Sequence, residues 1–223
     1  MLETQLTQAF QRSFGANANA ADVPAMRAYM RELFPFLGLK TPQRRQLTRD
    51  VLEVCGTPES ETLRTAATEL WALLEREYQY AALDLLFEAE LTCEDLPLLE
   101  RLILDKPWWD TVDALARLVG RAFQHDLPCR DHWLARWRAS DSLWLHRSTL
   151  LFQLAYKADT DTALLFELVQ EHAQSPEFFI QKASGWALRE YAKTQPEAVY
   201  AFIRSTALAP RTRREALKHA PKG

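Results

Sequence analysis

The sequence predicts an all-α fold, and three observations carry that prediction. Leucine and alanine number 35 and 31 against 7 valines and 3 isoleucines, so helix formers dominate and strand formers are scarce. Apolar residues recur at spacings of three and four, as in Leu70, Leu73 and Leu74, then Ala82, Leu85 and Leu86, then Leu150, Leu151 and Leu154, the period of a helix face. Proline repeatedly follows a capping or small polar residue, the arrangement that opens helices.

These prolines place the elements in order. Asp22 precedes Val23-Pro24, and the pairs Thr41-Pro42, Ser175-Pro176, Gln195-Pro196 and Ala209-Pro210 mark further starts. The low-complexity run Gly15-Ala-Asn-Ala-Asn-Ala-Ala21 reads as a surface loop between the first two helices. Between the marks we expect about a dozen helices of roughly 10 to 18 residues, joined by short polar connections as in stacked antiparallel pairs. The pairs recur at about forty residues, the period of HEAT-like units that stack into a solenoid with a concave face. With no convincing linker, residues 1–223 read as a single domain.

Composition excludes several classes. At 48% hydrophobic residues the chain can bury a core and is neither disordered nor fibrous. No stretch approaches the roughly 20 apolar residues of a membrane span, and the N-terminus lacks the apolar run of a signal peptide, so a cytoplasmic protein is expected. Cys55, Cys93 and Cys129 are widely spaced and form no CxxC pair; they read as small buried hydrophobes, with neither disulfide nor zinc knuckle. His125, His132, His146, His172 and His219 stand in no metal-binding pattern, and no GxGxxG, GxxxxGK[ST] or GxSxG is present. We therefore expect neither cofactor nor metal.

Net charge is −3, but the charges are segregated. Glu75 to Asp105 holds nine acids and two arginines, Arg27 to Arg49 six bases and one acid, and Arg189 to Gly223 eight bases and three acids. Such basic ends suit ordinary solvated helix faces or a groove for a phosphate backbone.

Four segments carry chemistry. In Lys106-Pro-Trp-Trp-Asp-Thr-Val-Asp113, Trp109 and Asp113 are four apart, which on a helix puts an indole and a carboxylate on one face, a setting for a cationic guest. The others are Trp144-Leu-His-Arg147, Phe178-Phe-Ile-Gln-Lys-Ala-Ser-Gly-Trp-Ala-Leu-Arg-Glu-Tyr-Ala-Lys193, and Tyr29-Met-Arg-Glu-Leu-Phe-Pro-Phe-Leu-Gly38. Taken alone, each tryptophan suits helix packing and each charge a solvated surface.

Taken together, the four segments resemble the AlkD family of DNA alkylation repair glycosylases over nearly the whole chain. The resemblance implies a HEAT-like α-solenoid whose concave, basic groove holds duplex DNA, and an enzyme of base excision repair that removes N3- and N7-alkylated purines such as 3-methyladenine and 7-methylguanine. It implies that Asp113 is the catalytic carboxylate, that Trp109 and Trp186 are aromatic walls against the backbone and sugar of the damaged nucleotide, that Arg147 contacts a phosphate near the lesion, and that Tyr29 borders the site. His146 departs from the pattern, standing where a second basic residue beside Arg147 is expected. Lys182, Arg189, Lys193, Arg211, Arg213 and Arg214 complete the expected phosphate grip. The pattern points to a monofunctional glycosylase, so Lys182 is not expected to form a Schiff base. The family is similar also in gripping the backbone around a lesion without needing a closed base pocket, and a monomer suffices for that.

The chemistry is coherent with these roles. A purine alkylated at N7 or N3 is already cationic and leaves without a general acid, so the enzyme need only favour the oxocarbenium-like sugar. A carboxylate and indole faces in a partly dehydrated groove do that. The rival readings are a non-catalytic HEAT-like module that binds DNA, and a scaffold that docks a protein partner through the acidic middle.

Overall fold

The computed structural model describes residues 4–56, 58–124 and 126–220, and every regular element among them is helical. His125 and Lys222 lie outside the described residues. The all-α expectation holds, with thirteen α-helices of 7 to 15 residues among the described residues. Packing divides the chain into two compact units, Met1–Leu91 and Thr92–Gly223.

The first unit contains α1 (Gln5–Ala16), α2 (Val23–Tyr29), α3 (Thr41–Cys55), α4 (Ser60–Ala72) and α5 (Arg76–Glu88). Of the stretch read as a loop, Gly15 and Ala16 close α1 and residues 17–21 form most of the connection to α2, and the starts at Val23-Pro24 and Thr41-Pro42 fall as expected. The core is aromatic at one end, where Phe10, Phe14 and Tyr78 pack ring on ring, and aliphatic through α4 and α5 at Leu70, Leu85 and Leu86. The α4 face ends sooner than its apolar period suggested, because the helix stops at Ala72 and leaves Leu74 69% exposed. Fully buried Glu77 takes the amide N–H groups of Leu37, Gly38 and Leu39 at 3.0, 2.8 and 3.0 Å, satisfying a turn that would otherwise bury unpaired donors.

The second unit opens with a short 3-10 turn, Cys93–Asp95, followed by α6 (Leu96–Leu104), α7 (Trp109–Phe123), α8 (Leu127–Arg138) and α9 (Leu143–Leu151). A second 3-10 turn, Lys157–Asp159, precedes α10 (Thr162–Glu171), α11 (Phe178–Tyr191), α12 (Pro196–Ser205) and α13 (Pro210–Ala216). Helix α9 is the hub, touching α6, α7, α8, α10 and α11. Two glycines permit close approaches. A Cβ on Gly120 of α7 would fall 2.1 Å from the Phe152 carbonyl oxygen, and one on Gly185 of α11 would fall 2.5 Å from Glu215 Cβ and 2.7 Å from the Thr212 oxygen, so any larger residue would wedge the elements apart. The start read at Ser175-Pro176 is two residues early: α11 begins at Phe178 with Glu177 as its cap.

The cysteine expectation is corrected. Cys93 and Cys129 are joined as a disulfide across 36 residues with Cα atoms 6.1 Å apart, and Cys55 is exposed at the end of α3. Sequence separation hid the pair, since only the turn before α6 and the first turn of α8 bring the sulfurs together. Asp126 lies beside the same sulfurs and caps α8 through Cys129 N–H at 2.9 Å. No described helix is long and apolar enough to cross a membrane.

Candidate active site

Helix α7 begins at Trp109, so Asp113 stands one turn further on, as the spacing required. Trp108, just before the helix, is extended and turns its ring inward, 5.8 Å from Trp144 and 5.1 Å from Phe179, with Trp144 and Phe179 also 5.1 Å apart. This aromatic cluster unites three segments singled out in the sequence.

Next to that cluster, Arg147 Nε donates to Asp113 Oδ1 at 2.7 Å and Nη2 to Oδ2 at 2.9 Å, while Nη1 donates to the Phe179 carbonyl oxygen at 2.6 Å. One guanidinium therefore links α7, α9 and α11. The fork matches a carboxylate plane and fixes its orientation. Both groups are withdrawn from water, with side chains 5% exposed for Arg147 and 17% for Asp113. Burial pushes the Asp113 carboxyl above its ordinary range, and the hydrogen bonds and charge of Arg147 pull back without cancelling the rise. The phosphate contact expected of Arg147 finds little surface to use, because its donors face the protein.

Asp113 opens on one side into a cleft of about 370 Å³, lined with Ala114 and Arg117 of α7, Leu154 and Ala155 after α9, and Trp186 and Glu190 of α11. Trp186 thus meets Asp113 across the cleft, and Trp109 remains half-buried a turn away on α7. An ionised carboxylate has about four lone-pair sites; two face Arg147, and the rest can face a cation in the cleft. Arg117 and Glu190 were not singled out in the sequence, although each is four residues beyond one that was, Asp113 and Trp186.

The expected phosphate-binding cations fare differently. Glu215 of α13 holds both Lys182 and Arg189 of α11. Its carboxyl, pushed up by burial but pulled down harder by these two partners, lies at about 2. Lys193 pairs with Glu190 at 2.7 Å, and Arg213 donates to the carbonyl oxygens of Ile203 and Thr206 at the end of α12. Arg211 reaches Gln181 and lies 4.7 Å over the Phe178 ring. Arg214 is exposed on α13. Tyr29 ends α2 in the first unit, 72% exposed. His146 faces His172 with ring centroids 5.1 Å apart, and burial, followed by the charge of His146, pushes the His172 pKa down.

Comparison with known proteins decides the lineage. A family profile described as DNA alkylation repair enzyme matches residues 10–220. The chain belongs to that DNA alkylation repair family. A predicted DNA alkylation repair enzyme from Enterococcus faecalis is similar in structure, with a TM-score of 0.82 and 32% identity over 92% of this chain and 98% of that one. No curated protein matches. Membership in the DNA alkylation repair family assigns the chain to DNA repair and implies DNA as its partner.

Proposed function

We propose that the protein is a monofunctional DNA glycosylase that hydrolyses the N-glycosidic bond of N3- and N7-alkylated purines in duplex DNA. The observation that carries this reading is the Asp113 carboxylate, held by both oxygens on buried Arg147 and presented to a cleft walled by Trp186. As the C1′–N bond breaks, its electron pair neutralises the cationic base and positive charge develops on the sugar. Asp113 faces that charge with no reorganisation, since its orientation is already set. Water then adds its oxygen to C1′ and loses a proton, leaving an abasic site. The indoles of Trp186 and Trp109 add attraction for the cationic sugar. In this reading Arg147 positions the carboxylate, and its role at a phosphate is secondary. Tyr29, Lys182, Arg189, Lys193, Arg213 and Arg214 remain the proposed contacts to DNA.

The deciding experiment is release of 7-methylguanine from a duplex oligonucleotide in single turnover with EDTA present, comparing wild type with Asp113→Asn. Excision by wild type and its loss in the Asn variant, which keeps the shape and removes the charge, support a metal-independent glycosylase centred on Asp113. Duplex binding without excision by wild type would leave the rival reading, a non-catalytic DNA-binding module.

A further inference from the structure

Beside the Asp113 cleft lies a second, more enclosed pocket of about 270 Å³ within the same unit. Its floor is apolar, from Leu150 of α9, Leu154, Leu165 of α10 and Ala187 of α11. Its other lining residues include Lys157, Glu190, Lys193 and Thr194, of which both lysines are exposed. Leu154 and Glu190 belong to both cavities, so the two share a wall.

We propose that this pocket is a subsite for one nucleotide of the DNA strand next to the damaged one, with its base against the apolar floor and its phosphate on Lys157. The proposal rests on the glycosylase reading for the identity of the strand in the cleft. Three observations carry it. The volume falls just below the roughly 300 to 1,000 Å³ of sites for drug-sized ligands, which suits a single base. Lys157 pairs with no acid among the described residues, whereas Lys182, Arg189 and Lys193 are already held by carboxylates. Its backbone has φ of 53°, a left-handed conformation costly for lysine and common where function constrains the chain. The shared wall supplies continuity, because a strand with its damaged nucleotide at Asp113 has its next nucleotide within reach of the neighbouring cavity. Of the other polar groups there, Gln153 exchanges hydrogen bonds with the Asp161 backbone, the Tyr191 hydroxyl pairs with Thr162, Lys193 and Glu190 pair with each other, and Thr160 and Thr194 carry only uncharged hydroxyls. This leaves Lys157 as the anion contact.

The test uses a duplex with an uncleavable tetrahydrofuran abasic analogue and 2-aminopurine placed immediately 5′ or 3′ to it. Wild-type protein is expected to brighten the probe several-fold at one of the two positions, as the base leaves the stack for the pocket. Thr194→Trp, which sets a large ring at the pocket, should abolish that rise while duplex binding persists. Lys157→Gln, an exposed position that leaves the core untouched, should reduce the salt slope of binding by about one. Bound duplex with unchanged emission at both positions would overturn the subsite. So would tight binding of free deoxyadenosine monophosphate without DNA and lost in Lys157→Gln, since the pocket would then belong to a soluble nucleotide. The abasic duplex reports on the subsite without chemistry, whereas failure to release 7-methylguanine in the separate excision assay would defeat the glycosylase reading.

Discussion

Arg147 sets the geometry of Asp113, and its own burial makes the pair sensitive to any loss. Removing one partner of a buried, hydrogen-bonded pair leaves an uncompensated charge, typically a cost of about 3–5 kcal/mol. Arg147→Ala should therefore both lower the thermal midpoint and slow excision. Arg147→Lys keeps the charge and loses the fork, so it should retain most of the stability while the single-turnover rate still falls; equal rates for Lys and wild type would show that orientation by the fork is dispensable. The raised Asp113 carboxyl gives a signed prediction. Excision that needs the carboxylate should fall on acidification at a pH above the ordinary aspartate value of 3.8, whereas stability moves oppositely. A group harder to ionise when folded weakens the fold as pH rises from its unfolded pKa through its folded one. Excision rates across an acid series at fixed ionic strength would show the first effect, and an apparent pKa at or below 3.8 would refute it. The Trp109 and Asp113 spacing was legible because it is local to one helix. The Arg147 partner was not, because 34 residues separate the pair and only the packing of α7 against α9 joins them.

Helices α11 and α13 show how an element is positioned by what its neighbour lacks. Gly185 lets α13 approach the helix that carries Trp186, and a methyl there meets Glu215 Cβ and the Thr212 oxygen. Gly185→Ala should cost about 1–3 kcal/mol through overpacking, read as a lower thermal midpoint; an unchanged midpoint would mean that α13 yields freely. Glu215 fastens the same contact through Lys182 and Arg189. Its folded pKa of about 2 lies below the ordinary 4.5, so its stabilisation is complete above the unfolded value and is lost as pH falls from there through about 2. Glu215→Gln should flatten the dependence of thermal midpoint on pH across that acid window, and a slope identical to wild type would show that the clasp contributes nothing. At this scale the sequence was informative where proline opens a helix, as at Val23, Thr41, Pro196 and Pro210. It misled where proline sits outside the helix, as before α11, and where an apolar run continued past a helix end, as at Leu73 and Leu74.

For the whole molecule, a net charge of −3 means that affinity for a polyanion must come from local cations that are free to act. Counting basic residues along the chain overstates that supply, because Lys193 has Glu190 three residues before it as a local partner, and because the pairing of Lys182 and Arg189 with Glu215, 33 and 26 residues away, was invisible in the sequence. Each phosphate neutralised contributes about 0.9 to the slope of log affinity against log salt. The wild-type slope should consequently be shallower than the seven cations from Arg147 to Arg214 would give if all met phosphate. Glu215→Gln removes the competing carboxylate from two of them and should steepen the slope by up to about two phosphates' worth. A salt titration of binding to an undamaged duplex measures both. A wild-type slope near zero would deny the molecule a phosphate-gripping surface of this kind. An unaltered slope in Glu215→Gln would show instead that DNA already displaces the carboxylate from Lys182 and Arg189, or that these two cations lie outside the binding surface; a binding titration of Lys182→Gln with the same duplex would then separate the two, since only the first leaves that variant weaker in binding than wild type.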